Sequence, residues 1–364
     1  MTIDIMKIAL VHDSFTQMGG AERIAEILHE LFPSAAVYTL VLDKKFYQKY
    51  QDWNIKTTWL QYFYNLIPKL QYWLFLIPWA VKSIDIKDVD LVISSSSGFT
   101  KNITVPKGCL HINYCHTPTR FLWIDEDYVN QEVPVVLRPI VRTFLKWMRG
   151  WDFEGAQRVR YFIANSKEVQ KRIWDAYHRQ SEIIYPPIDA NFWQPTTSKS
   201  DYFLVAGRLQ AHKKVDFIVE IFNELGLPLH VVGTGRQENF LRSRAKSNVK
   251  FLGRVSDERL RDEYSGAKAF IYPQVEDFGL MPPEAAACGT PTIAFAKGGS
   301  LETVIPGVTG ELFDSYDKRK IKQMILDWQT AKYSILELKF HAKKFSKKVF
   351  KEQIFKFIDN AHSD

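Results

Sequence analysis

The sequence predicts an α/β protein built from two doubly wound, Rossmann-like domains facing across a cleft. Three observations carry that reading. Short, almost wholly apolar runs alternate with helical patterns through both halves of the chain, and strands apolar on both faces belong to parallel sheets covered by helices on either side. The alternation stops once, at YPPIDANFWQPTTSKS (185–200), and then restarts. At 364 residues the chain is also longer than one hydrophobic core usually serves.

In the first half the strand-like runs are MKIALV (6–11), AAVYTLV (35–41), DLVISSS (90–96), LHINYC (110–115) and YFIANS (161–166). AERIAEILHEL (21–31) repeats apolar residues at helical spacing directly behind a Gly-Gly pair. The stretch 185–200, rich in Pro, Ser and Thr and without periodicity, reads as a linker. Beyond it come YFLVAGR (202–208), the helical VDFIVEIFNELG (215–226), PLHVVGTG (228–235), VKFLGRV (249–255), AKAFIYP (267–273) and TPTIAFA (290–296). The expected domains are 1–190 and 195–344. A basic amphipathic helix at 345–364 is expected either to pack back on the first or to cap the second. Open α/β sheets bind ligands outside the carboxyl ends of their strands, so the loops there are where chemistry is sought.

A net charge of +7 and a pI near 9.0 favour an anionic partner: a phosphorylated ligand, nucleic acid or anionic lipid. No nucleic-acid reading module is present and the charge is dispersed, which disfavours nucleic acid. Basic residues interleave with aromatics at 44–82 and 137–151. Two readings of 44–82 stand side by side, core helices or a surface docked on anionic membrane. The longest apolar run, Trp73 to Val81, is broken by Pro78 and falls short of a spanning helix. The opening MTIDIMKIALVHDS reads as a first strand rather than a signal peptide. A cytoplasmic protein is expected, with Cys109, Cys115 and Cys288 as reduced thiols, since they follow neither a disulfide framework nor zinc spacing.

The densest motif is VEDFGLMPPEAAACGTP (275–291). Glu276 and Glu284 stand eight positions apart around Phe278-Gly279-Leu280, with a helix expected from Pro283. A loop of backbone N–H groups at a helix start suits hydroxyl and phosphate oxygens, and a carboxylate accepts from two sugar hydroxyls at once. Read alone, Glu284 is equally a first-turn acid favoured by the helix dipole and Glu276 a solvated charge. Arg208 and Lys213 follow the first strand of the second half. A planar Arg fork beside a compact Lys charge suits two neighbouring phosphoryl groups; a solvated helix start is the plainer alternative. Lys214 is expected to point elsewhere.

Gly19 and Gly20 open the first helix and would let backbone approach a ligand. The pair Gly233 and Gly235 lacks the third glycine of a dinucleotide fingerprint, which disfavours a dehydrogenase. His116 sits just past a strand, where it would face the cleft and bond a hydroxyl. His12 is a weaker candidate of the same kind, and Arg120 could contact an anionic acceptor. The D-x-D triplets Asp88–Asp90 and Asp125–Asp127 are read as solvated or capping residues, so no metal site is expected.

Segment 275–291 resembles the E-x7-E signature of retaining GT-B glycosyltransferases, family 4. AGRLQAHKKVDFIVE (206–220) is similar to that family's phosphate-binding segment, and HDSFTQMGGAERI (12–24) to its Gly-rich loop. YCHTPTRFLW (114–123) and FIANS (162–166) look like the WbaZ-like mannosyltransferase branch. The resemblance runs from residue 6 to about 313. It implies a GT-B fold and a metal-independent enzyme that keeps the anomeric configuration. A hexose, mannose from GDP-mannose as first choice, would pass from a nucleotide-diphosphate donor to a saccharide acceptor. The membrane-docked reading of 44–82 would fit a lipid-linked acceptor, in cell-surface polysaccharide synthesis at the inner face of the plasma membrane. Arg208 and Lys213 would hold the diphosphate, Glu276 the sugar, Glu284 the ribose, and His116 would act at the reacting centre. Gly19, Gly20, Phe278, Gly279 and Leu280 would line the donor. No residue stands out as a covalent nucleophile, so front-face displacement is implied. A non-catalytic nucleotide-sugar-binding protein and a sugar-nucleotide epimerase remain as alternatives.

Overall fold

The computed structural model of the chain describes residues 6–125, 129–130 and 133–363. They form two compact units, residues 1–185 with 351–364, and residues 186–350. Each holds one wholly parallel sheet.

The first sheet contains β1 (Ile8–His12), β2 (Ala36–Thr39), β3 (Ile55–Thr57), β4 (Leu91–Ser96), β5 (Leu110–Cys115), β6 (Tyr161–Ala164) and β7 (Ser181–Ile183). Their order is β3-β2-β1-β4-β5-β6-β7. The second contains β8 (Phe203–Ala206), β9 (Leu229–Val232), β10 (Val249–Gly253), β11 (Phe270–Tyr272), β12 (Thr292–Phe295) and β13 (Gly310–Phe313), in the order β10-β9-β8-β11-β12-β13. The strand order reverses between β1 and β4 in one sheet and between β8 and β11 in the other. Such a switch point opens a crevice at the carboxyl ends of the two strands that flank it.

Helices cover these sheets because their apolar stripes require burial. Gly20–Leu31 turns Ile24, Ala25, Ile27 and Leu28 inward, and Val215–Leu225 does the same with Ile218, Val219, Ile221 and Phe222. The latter helix stops at Gly226, whose φ of 70° is cheap only for glycine. In the last helix, Lys347–Ser363, Phe355 packs edge-on to Phe32, Phe357 on Tyr161, and Lys351 pairs with Glu30 at 3.3 Å.

The segment expected as a linker holds no helix or strand, yet from Pro186 it belongs to the second unit. Trp193 is buried edge-on against Tyr264, Ile188 bridges to Ser346, and the Thr196 N–H donates to Ser265 Oγ at 3.1 Å. Its composition resembles a loose connector, but two aromatic anchors, Phe192 and Trp193, make it a strap.

Candidate functional site

In the first unit the switch point is built from neutral polar groups. His12 ends β1 directly opposite Ser95 of β4, and its Nδ1 lies 3.1 Å from the Ser95 carbonyl and 3.3 Å from its hydroxyl. His116, the first residue after β5, has its Nε2 2.8 Å from the same hydroxyl. Burial depresses both imidazoles: His116 is held at about 3 by burial and then by His12 beside it, and His12 is lowered by burial against the opposing pull of Asp13. Both rings are therefore neutral at physiological pH, fitted to exchange hydrogen bonds rather than to donate a proton.

Asp13 pins the facing loop. Its carboxylate accepts from the N–H groups of Ser97 and Gly98 at 2.7 Å each, and from the Thr100 N–H at 3.1 Å and hydroxyl at 2.7 Å. Gly19 caps the helix that Gly20 begins, and Glu22 reaches back to the Gly19 N–H at 2.9 Å. Burial raises the Glu22 carboxyl despite that bond. Gly19 and Gly20 thus stand at the start of this helix. Arg120 opens the short helix Arg120–Trp123 with its side chain exposed.

The second unit presents charge. Arg208 is exposed on the loop leaving β8, while Lys213 ends the tight turn Ala211–Lys213 almost fully buried, with its ammonium on the Glu276 carboxylate. Lys214 takes a left-handed backbone (φ 56°) and carries its ammonium instead over the Tyr316 ring at 5.6 Å. Glu276 lies on the loop leaving β11 and accepts weakly from the buried Gln274 amide at 3.4 Å. Lys213 and Glu276, 63 positions apart, therefore meet across the switch point between β8 and β11.

The helix after that loop runs from Met281 to Ala287, two residues earlier than expected. Pro282 and Pro283 fill its first turn and carry no N–H. The donors this terminus offers therefore narrow to Gly279, Leu280 and Met281. Gly279 has φ 83°, and a Cβ there would sit 2.6 Å from the Tyr272 hydroxyl. Phe278 turns its ring into the core against Phe345 at 5.4 Å, which leaves only its backbone for a ligand. Glu284 is buried in the helix. Its charge adds to the burial that raises the Tyr272 hydroxyl and that pushes Cys288 up to about 12.

The Gly233 and Gly235 pair has a packing role. A Cβ on Gly233, whose φ is 122°, would land on the Gly207 carbonyl, and one on Gly235 on that of Leu209. The loops after β8 and β9 are thereby pressed together, with Leu209 N–H bonded to Thr234 O at 3.0 Å. Asp90 accepts from the Lys7 N–H at 2.9 Å ahead of β4, and Asp88 stands in the same turn. Asp125 is exposed, and Asp127 lies outside the described residues. Among the described residues no three His, Cys, Asp or Glu side chains are grouped to hold a metal ion.

The second unit matches the glycosyl transferases group 1 family. The match covers residues 188–348. Over shorter stretches the chain is similar to a GDP-mannose-dependent monoacylated alpha-(1-6)-phosphatidylinositol monomannoside mannosyltransferase of Corynebacterium glutamicum. That identity is 36% across 27% of this chain and 29% of the relative. An uncharacterized glycosyltransferase of Methanocaldococcus jannaschii is 28% identical over 51% of this chain and 54% of its own. The chain thus spans from under a third to about half the length of these curated relatives. In fold it matches the crystal structure of Anabaena HepE in complex with UDP, with a TM-score of 0.70 and 17% identity over 98% of this chain and 100% of the other. The α/β architecture of two Rossmann-like domains is shared with that structure.

Five further residues shape these loops. Asp13, Ser95 and Gln274 act through tertiary partners that no local pattern announces. Gly298 and Gly299 were legible as a second Gly-Gly pair ahead of a helical turn. Gly298 bridges to Glu276, the Gly299 N–H donates to the Glu276 carbonyl at 3.0 Å, and a Cβ on Gly299 would strike the Phe278 carbonyl.

Proposed function

We propose that this protein is a retaining, metal-independent glycosyltransferase that moves a hexose from a nucleotide-diphosphate donor to a saccharide acceptor. One observation carries the reading: the unit that matches group 1 glycosyl transferases brings Lys213 onto Glu276 at its switch point, with Arg208 exposed on the loop leaving β8. Cations there suit a diphosphate and carboxylates suit hydroxyls.

Arg208 and Lys213 receive the diphosphate, Glu276 orients the hexose, and Glu284 holds the ribose. Gly279 and Leu280 offer N–H groups, and Gly19 and Gly20 are proposed as further substrate-facing backbone at their own helix start. The acceptor hydroxyl attacks the anomeric carbon on the face from which the diphosphate departs. The bond from that carbon to the phosphate oxygen breaks, and the hydroxyl proton passes to the departing phosphate. Fixed positive charge at that phosphate is the main contribution of the protein. His116, neutral and anchored by Ser95, positions a hydroxyl by hydrogen bonding.

Mannose from GDP-mannose is the donor proposed, supported by the mannosyltransferase relative; the UDP complex of the structural neighbour makes UDP-hexose the competing donor. The acceptor proposed is a lipid-linked saccharide in cell-surface polysaccharide synthesis, met at the cytoplasmic face of the membrane. A thermal-shift screen of GDP-, UDP-, dTDP- and ADP-sugars, followed by an assay of nucleotide release with and without saccharide acceptors, tests this. A donor that raises the melting temperature and releases nucleotide only with acceptor is expected. No stabilisation by any donor sinks the reading, and conversion of donor without acceptor replaces it with an epimerase.

A further inference from the structure

The first unit displays a large apolar face that its own core leaves uncovered. The segments 59–84 and 133–151 share one core, to which they give Leu60, Tyr64, Ile77, Ala80, Val81, Leu145 and Met148. Their opposite sides face solvent. Tyr62 and Leu66 are each 77% exposed and Val136 86%, with Phe75, Trp79, Ile140 and Trp147 about half exposed or more. Trp79 stacks on Trp147 at 5.9 Å, so the two segments present one continuous surface. Soluble monomers rarely leave a patch of this kind open without a partner.

Charge selects the partner. The two segments contain Lys69, Lys82, Arg138, Arg142, Lys146 and Arg149 and no acidic residue, a local excess of positive charge within a chain whose basic residues are otherwise dispersed. Among the described residues none of the six forms an ion pair. Arg138 and Arg142 bond neutral oxygens of Val133 and Asn130, and Arg149 lies over the Trp123 ring at 5.5 Å. Aliphatic and aromatic tips interleaved with unpaired Lys and Arg match the interface of an anionic bilayer. No described helix is long and apolar enough to cross a membrane.

Topology adds direction. Helix Leu60–Leu66 follows the carboxyl end of β3, and the residues ahead of helix Arg138–Arg158 follow that of β5. In a parallel sheet such connections start at the edge where the strands end. That is the edge carrying His12, Ser95 and His116.

We propose that this face seats the first unit on an anionic lipid bilayer and thereby holds a lipid-borne acceptor at the edge of His116. The docking stands on the surface alone; only the nature of the acceptor rests on the proposed function. Sedimentation with vesicles of phosphatidylcholine, with or without phosphatidylglycerol, tests it on the full chain. Binding is expected with phosphatidylglycerol at low ionic strength, weakened by salt. The combined variant Tyr62→Ser, Leu66→Ser, Val136→Ser changes only exposed side chains and should bind at least tenfold more weakly, as should Arg142→Glu with Lys146→Glu. Leu336→Ser with Phe340→Ser, exposed apolar residues of the second unit, should bind like the parent. Absent vesicle binding overturns the proposal, as does binding that the first-unit variants leave intact. So does a dimer in sedimentation velocity that the serine variant dissolves, because a second copy would then own the face. Hydrolysis or transfer on a water-soluble acceptor, unaltered in the docking variants, separates the two ideas: its loss in the parent protein would sink the transferase and leave the docking surface standing.

Discussion

The two units share a parallel doubly wound sheet with the same kind of switch point, yet they fill it with opposite chemistry. In the first, two imidazoles depressed by burial share the Ser95 hydroxyl, and the nearby carboxylate of Asp13 is spent on five donors of a loop. In the second, an ammonium meets a carboxylate, an exposed guanidinium stands close in sequence, and glycines crowd backbone against backbone. A neutral, hydrogen-bonding crevice suits uncharged hydroxyls. A crevice that holds an ion pair suits a diphosphate, whose arrival can replace one partner of that pair. The fold therefore supplies the crevice, and the side chains at four strand ends decide what enters it.

Acid should break that contrast most severely. His111 and His116 are both held at about 3, the first by burial and then by Arg158, against an unfolded value near 6.5. The unfolded chain binds these protons first, so stability is whole above pH 6.5 and is lost as pH falls towards 3. By about pH 4 each such histidine costs the first unit about 3 kcal/mol, less than additively for coupled neighbours. Hydrogen exchange should show the first unit opening at a higher pH than the second. Equal loss in both units would erase the distinction.

Next in size, Arg208→Ala and Lys213→Ala should each lower turnover about a hundredfold or more, the effect of removing about 3 kcal/mol of transition-state stabilisation. Rates near the parent in both variants would remove the diphosphate assignment. Gly233→Ala should destabilise the second unit by about 2 kcal/mol in urea unfolding, because its φ and the Gly207 carbonyl both oppose a side chain. Unchanged unfolding would mean the two loops are not pressed together. The smallest effect sharpens the comparison. Glu276→Gln should bind the nucleoside diphosphate alone a fewfold more tightly, since Lys213 loses its competing carboxylate, while turnover with the sugar donor falls. Weaker binding of the bare diphosphate would show that Glu276 positions Lys213 instead of competing for it.

Much of the fold was legible because central strands of a parallel sheet are apolar on both faces. β1, β4, β5, β8 and β9 were all visible as such runs. The strands that escaped, β3 (IKT), β7 (SEI) and β13 (GELF), are edge strands of three or four residues. An edge needs no two-sided apolar pattern. The motif residues Lys213, Glu276 and Glu284 were legible from residue type and spacing, and the structure brings Lys213 to Glu276. Asp13 and Ser95 were not, because a hydrogen-bond hub is defined by partners more than 80 positions away.

The sequence by itself determined the fold class, and it offered side chains whose chemistry suits phosphate and hydroxyl groups. Periodicity and residue chemistry are local quantities, and they suffice for that. Only tertiary structure decided that Lys213 is already occupied by Glu276, that Phe278 belongs to the core, and that Pro282 and Pro283 thin out the donors of the helix start. It also decided which side of 59–84 faces water. Each of these depends on what a residue meets after the chain has closed on itself, and burial, pairing and exposure exist only then.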